Sequence, residues 1–316
     1  MNSYDKIIDV EDELIYNPFL NKKRNKIKLY KNYGYSNIVV KFDHKLINSR
    51  NIADVEELEF KIKRFLIVMN RSCKNFNSKI FLKNFKKTFF NLTELSKENK
   101  IGINGSVIIR SSFNSFKLKN IKVTYHELLH LASLKNDKNI FKPFNEGYTQ
   151  LLEHRYFYEV NELGSSYDFE VYIMKTVEQI FGKDNLEKLY FNGEFNKIFN
   201  FFSNYISIEN IKKLKDNLIS IYEIEQQNET CEKREILKDN FNQALEILFN
   251  CLINKLKSDN EYNKLLENID FYKKLFCFNV IINFNKINKK ISFNTLEEKR
   301  FYQIIKESNN TKKSLY

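Results

Sequence analysis

Only 7 glycines and 2 prolines punctuate the 316 residues, whereas globular chains average about 7% glycine and 5% proline. These are the residues that turn or stop a chain, so a sequence this poor in them is committed to long elements, helices above all. Collagen-like, linker-like and low-complexity disordered classes are excluded, because 42% of the residues are hydrophobic and can supply a core. Six of the seven glycines (Gly102, Gly105, Gly147, Gly164, Gly182, Gly193) cluster between positions 102 and 193, where tight turns are expected. At about 150 residues per domain the length allows two domains or one large one.

Hydrophobic spacing supplies the element order. Residues 1–35 read as a polar, irregular N-terminal extension with a basic run from Asn21 to Lys28. Asn37–Phe42 reads as a strand. Val55–Cys73 carries apolar residues at helical intervals. Lys79–Phe85 reads as a strand. Asn104-Gly105 signals a turn, and Ser106–Ser111 follows as a short β-branched strand. A helical pattern begins at Asn120 and runs to about Lys135. Asn136–Phe144, with Pro143, reads as a loop, and a helix follows from Asn145 to about Asn161. Beyond Gly164 the chain looks helical throughout: Tyr167–Phe181, then a stripe of Ile236, Leu237, Phe241, Leu245, Leu248, Leu252 and Leu256, then Leu265–Phe284 and Leu296–Ile305. No internal repeat is present.

The formal charge is +12, from 52 basic and 40 acidic residues. A basic balance can serve nucleic acid or an anionic membrane, but here the lysines are scattered in pairs (Lys22–Lys23, Lys86–Lys87, Lys289–Lys290) without a long block. A solvated basic surface is the expectation, and a nucleic-acid partner is not. Cys73, Cys231, Cys251 and Cys277 form no CxxC pair, which excludes zinc-ribbon and thioredoxin-like readings and leaves reduced thiols. No apolar run reaches the roughly 18 residues of a membrane span. The acidic start (Asp5, Asp9, Glu11, Asp12) does not resemble a secretory signal. A cytoplasmic location is expected, and export by a non-standard route is compatible with the same residues.

The chemistry concentrates at His126-Glu127-Leu128-Leu129-His130, two of only 4 histidines in the chain. On a helix, residues four apart lie about 40° from one another on one face, so both imidazoles can reach a single tetrahedral Zn²⁺. Glu127 can then serve as general base toward a zinc-activated water. Val123, Tyr125, Leu128, Leu129, Leu131, Ala132 and Leu134 surround the motif with apolar side chains. The helix should therefore be buried, where two histidines and a glutamate are costly unless something satisfies them. A third ligand is available at Glu146, in Asn145-Glu146-Gly147-Tyr148-Thr149. There Asn145 can cap a helix and Glu146 faces back toward the previous helix from its first turn.

HExxH followed by this NEGYT helix start resembles the gluzincin group of zinc metallopeptidases, over about residues 103–160. The resemblance implies that His126, His130 and Glu146 bind one Zn²⁺ with Glu127 as catalytic base, and that the fold is α+β with a zincin-like catalytic domain over about 36–205 (a small twisted mixed sheet, the HExxH helix, a helical lower half); the apolar pattern adds a mainly helical C-terminal region over 206–316. It also implies an edge strand pairing with extended peptide or protein substrate, for which Ser106–Ser111 is the natural segment, with Val55–Cys73 as backing helix. One position departs from the pattern. Thermolysin-like enzymes carry an aspartate four residues after the glutamate ligand, to orient a histidine; Gln150 stands there, so that support is weaker or comes from elsewhere. An oxyanion donor is sought among Tyr148, His154, Tyr167 and Tyr172, with Tyr167 preferred because it follows a Gly-Ser break; a packed aromatic is its ordinary role.

The expectation is a zinc-dependent metallopeptidase, a hydrolase. Two readings from other classes stand beside it: a catalytically silent zincin-like binding or regulatory module, and a basic helical nucleic-acid-binding protein in which the motif is incidental. Metal analysis separates the last from the others, and a peptidase assay with a Glu127→Gln control separates the first two.

Overall fold

The structure, a computed structural model, describes residues 24–29, 38–93, 105–108, 114–133, 141–157, 167–225, 231–259, 280–284 and 287–291. In chain order the elements are β1 (Lys26–Leu29), β2 (Ile38–Lys41), β3 (Ile47–Asn48), α1 (Ile52–Ser72), α2 (Ser78–Lys86), β4 (Thr88–Asn91), β5 (Gly105–Ile108), β6 (Asn114–Leu118), α3 (Thr124–Ser133), α4 (Lys142–Phe157), α5 (Asp168–Phe181), α6 (Lys183–Phe191), α7 (Ile198–Phe202), α8 (Ile208–Glu225), α9 (Cys231–Ser258), β7 (Val280–Phe284) and β8 (Ile287–Ile291). The fold class is α+β. The chain forms two compact units, residues 1–163 with 182–198, and residues 164–181 with 199–316. The helix at Asp168–Phe181, which the sequence groups with 36–205, therefore belongs to the second unit.

The first unit is built on a four-stranded mixed sheet in the order β3-β4-β6-β5. β3, β4 and β6 run parallel, and β5 runs antiparallel to β6 with Ser106 opposite Lys117 and Ile108 opposite Ser115. β5 is an edge strand, as expected of Ser106–Ser111 over the part described. α1 is started by Asn51, whose side chain accepts from the Ala53 amide, and it buries Leu58, Ile62, Phe65, Leu66 and Met69 at helical spacing. Phe65 stacks on Phe157 of α4 at 5.7 Å, and Phe157 stacks on Tyr125 of α3 at 4.3 Å. This ladder of rings binds three helices, and each such pair contributes about 0.5–1.5 kcal/mol beyond area burial.

Buried amides tie the remaining layers. Asn84 of α2 donates to the Leu131 carbonyl of α3 at 2.8 Å, and Asn114 of β6 donates to the Asn84 carbonyl at 2.9 Å. Asn25 donates to the Phe85 and Thr88 carbonyls and accepts from the Asp43 amide, fastening the β1–β2 pair to α2 and β4. Leaving any of these groups unpaired in the interior would cost about 1–3 kcal/mol.

Several expectations are corrected. Lys79–Phe85 is helical: Phe81, Leu82 and Phe85 are buried at i, i+1 and i+4, and the Asn77 side chain accepts from the Ile80 amide to open the turn. A short apolar run fits either period, and the cap decides it. Residues 26–29, read as irregular, pair with β2. Lys142–Phe144, read as loop, begins α4. Pro143 fits there because an amide in the first turn has no intrahelical partner to lose. Val280–Phe284, read as the end of a helix, pairs antiparallel with β8. The apolar stripe of α9 is buried at Leu237, Phe241, Leu245, Leu248, Leu252 and Leu256, whereas Ile236 is exposed. The remaining expectations over 1–23, 30–37, 104, 109–111, 134–140, 158–166, 265–279 and 296–305 lie outside the described residues.

In the second unit α5 packs on α8 and α9. Phe169 and Tyr172 meet Phe241, and Tyr167, just before α5, stacks on Tyr222. No helix among the described residues is long and apolar enough to cross a membrane.

Candidate metal centre

α3 is the innermost helix of the first unit, with all ten residues buried. It contacts α1, α2, α4, α6 and β5. Asn120 opens it through a 3-10 turn, its side chain accepting from the Lys122 amide, and Thr124 donates to the Ile121 carbonyl. Such a helix has no solvent face, so the polar side chains of His126, Glu127 and His130 are there against the ordinary preference of a core.

α4 brings Glu146 to them. Its Oε2 lies 3.1 Å from His126 Nε2 and 3.2 Å from His130 Nε2, and the two Nε2 atoms are 3.1 Å apart. The three ligand atoms form a nearly equilateral triangle. Tetrahedral zinc with bonds of about 2.0–2.1 Å sets its ligands about 3.3–3.4 Å apart, so the residues fit the ion with little movement. Two imidazoles and one carboxylate suit zinc, where hard cations such as calcium prefer an all-oxygen set. Among the described residues, this is the only group of three or more such side chains with converging donor atoms.

Electrostatics agree with a site for a cation. Burial alone would raise the Glu146 carboxyl, but the charge of His130 and the contacts with both rings hold it well below the usual carboxylate range. Burial alone would lower His126, but Glu146 and Glu153 outweigh it and hold this imidazole well above its ordinary value.

Glu127 is differently placed. Burial pushes its carboxyl up to about 7, against the pull of the two imidazoles. Its Oε2 is buried with no hydrogen-bond partner among the described residues. Gly105, the first residue of β5, lets the sheet edge approach: a methyl group there would fall 2.5 Å from Glu127 Oε1 and 2.8 Å from its Cγ. The sequence reading put Gly105 in a turn. Its requirement for a missing side chain comes from contact across the fold, which no local pattern announces.

The outer nitrogens of the two histidines have different partners. His126 Nδ1 lies 3.4 Å from Oε2 of Glu153, a buried carboxylate two turns along α4 from Glu146. His130 Nδ1 lies 3.1 Å from the Asn145 side-chain amide and 3.4 Å from Thr149 Oγ1, which shares a 2.6 Å hydrogen bond with Tyr190 of α6. Asn145 is thus inside the helix and turned to a histidine, not capping the helix as expected. Gln150, four residues after Glu146, donates to the same Glu153 oxygen at 3.0 Å.

The structure brings together His126, Glu127, His130 and Glu146. Of the residues considered as oxyanion donors, Tyr148 is packed in the core against Tyr190 and Phe195, and His154 is in contact with Gln150. Tyr167 and Tyr172 belong to the second unit. Comparison of the chain with protein-family models, with curated proteins and with solved structures finds no match.

Proposed function

We propose that the protein is a zinc-dependent metallopeptidase with a zincin-like catalytic unit, in which His126, His130 and Glu146 hold one Zn²⁺. The observation that carries the reading is Glu127. A buried carboxylate with an unpartnered oxygen is a liability of several kcal/mol in a core, and beside a ready ligand triangle it has the place of a general base. A structural helix would have no reason to keep it.

Zinc bound at the triangle supplies the Lewis acid that polarises a scissile carbonyl and makes water more acidic. Glu127 accepts a proton from the water whose oxygen attacks the carbonyl carbon. As the C–N bond breaks, Glu127 returns that proton to the departing amine nitrogen, so the products are a carboxylic acid and an amine. A carboxyl held near neutrality matches both transfers. The edge of β5 that is unpaired among the described residues begins at Gly105, against this carboxylate. An extended peptide can add there as a further antiparallel strand, its main chain providing affinity with little demand on sequence. The substrate class is therefore peptide or protein.

The test is cleavage of a mixed peptide library by zinc-loaded protein, read by mass spectrometry with Glu127→Gln as control. Cleavage by the parent is expected, and its disappearance in the control. A parent that holds zinc and cleaves nothing would overturn the enzyme reading in favour of a zinc-binding module. A second expectation concerns Gly105. Alanine there must displace Glu127 or the strand, so turnover should fall by on the order of 10²-fold, with zinc content unchanged by elemental analysis.

A further inference from the structure

We infer that Glu153 is the residue that positions His126 for the metal, supplying from one turn beyond Gln150 the negative charge that the Gln150 amide lacks; the inference rests on the metal site proposed above. Two observations carry it. First, the carboxylate is committed to the imidazole: Glu153 is 3% exposed, and its Oε2 stands 3.4 Å from His126 Nδ1. An oxygen acceptor at Nδ1 holds the proton on that nitrogen, which leaves the Nε2 lone pair directed at the position shared with His130 and Glu146. Second, that same oxygen is fixed from the other side. Gln150 donates to it at 3.0 Å, and the second donor position of the Gln150 amide is spent on His154, 3.0 Å away. Gln150 thus acts as a strut holding the carboxylate at the ring.

The helix geometry explains how the substitution is accommodated. Positions 146, 150 and 153 follow the i, i+4, i+7 progression along one face of α4. An aspartate at 150 would reach His126 with a short side chain. Glutamate at 153 starts one turn further away and is longer by one methylene, so the same charge arrives at the same nitrogen. Among the described residues, His130 Nδ1 meets neutral groups, Asn145 and Thr149. The two histidines are therefore unequal ligands, His126 being the more strongly electron-donating.

A competing role for Glu153 must be separated from this one. Lys61 of α1 is buried, with its ammonium over the Tyr125 ring at 5.2 Å. Burial lowers this lysine, and the charges of Glu57 first and Glu153 second act in the opposite direction. Glu153 could serve only to neutralise Lys61.

The experiment measures zinc affinity by competition with a chromophoric chelator, on the full chain, for the parent, Glu153→Gln, Lys61→Met and the double variant. Positioning of His126 predicts that Glu153→Gln binds zinc about 10–100-fold more weakly and that the double variant stays equally weak. Lys61→Met should remain close to the parent. The visible bands of the cobalt-substituted protein should shift in Glu153→Gln and not in Lys61→Met. Affinity of Glu153→Gln within about twofold of the parent would overturn the inference. So would return of the double variant to parental affinity, which would assign Glu153 to neutralising Lys61. If Glu153→Gln alone does not fold, the double variant is compared with Lys61→Met, since both lack the buried ammonium. A parent that binds zinc but hydrolyses nothing would sink the peptidase reading and leave this inference standing; a parent that binds no zinc would sink both.

Discussion

Replacing Glu127 by glutamine should leave zinc and fold in place while peptide hydrolysis falls by about 10²–10⁴-fold, the usual contribution of a positioned general base. The amide matches the carboxylate in shape and can still sit against Gly105, but it cannot take a proton from water. The same substitution should stabilise the metal-free protein. The Glu127 carboxyl is raised from 4.5 to about 7 in the folded chain, so the folded state binds this proton more tightly than the unfolded one. Between those two pH values folding takes up a proton, and stability falls as pH rises. The penalty is absent below about pH 4.5 and complete above about pH 7. At one pKa unit per 1.36 kcal/mol it amounts to roughly 3 kcal/mol, less whatever the buried amide itself costs. Thermal melts of metal-free parent and variant should therefore separate at pH 7–8, with the variant higher, and converge toward pH 4.5. A variant that melts lower than the parent at pH 8 would contradict the burial of an unpartnered carboxylate.

His126→Ala or His130→Ala should fail in a different way, losing zinc and hydrolysis together. Each removes one corner of the ligand triangle, and two remaining protein ligands do not make a zinc site of useful affinity. In the metal-free protein each also removes a partner of Glu146, whose carboxyl is held low by both rings. A destabilisation of about 1–3 kcal/mol is expected from leaving that buried group short of its contacts. Elemental analysis, turnover and melting on the same preparations check all three. Retention of stoichiometric zinc by His130→Ala would exclude the triangle as the site.

The candidate ligand set is legible in the sequence because its information is largely local. His126 and His130 are four apart and flanked by apolar residues, which places both on one side of a buried helix, and Glu146 follows at a helix start. What could not be read depends on contacts between segments. Glu153 is unremarkable in sequence: a glutamate beside a histidine near the end of an amphipathic stretch. Its meaning comes from the packing of α4 on α3, which sets it against His126 Nδ1. Gly105 likewise reads as a turn residue until β5 is laid beside Glu127.

Element types failed where the apolar run was short or the pairing distant. Lys79–Phe85 offers seven residues with apolar positions compatible with period 2 or 3.6, and the cap at Asn77 and burial against α3 choose the helix. Lys26–Leu29 is too basic and too brief to announce a strand; its partner nine to fifteen residues later provides the hydrogen bonds. The long helices α1 and α9 were legible because their stripes run for many turns and each added turn repeats the same evidence.

The central claim is that two histidines and one glutamate hold a single catalytic zinc, and X-ray absorption at the zinc edge of the loaded protein tests it most directly. The account predicts one zinc per chain, a first shell of four nitrogen and oxygen scatterers at about 2.0–2.1 Å, and outer-shell scattering from two imidazoles. A shell containing sulfur at about 2.3 Å would place the metal on cysteine, and zinc bound below stoichiometry after loading would leave the triangle without its ion; either result would contradict the site described here.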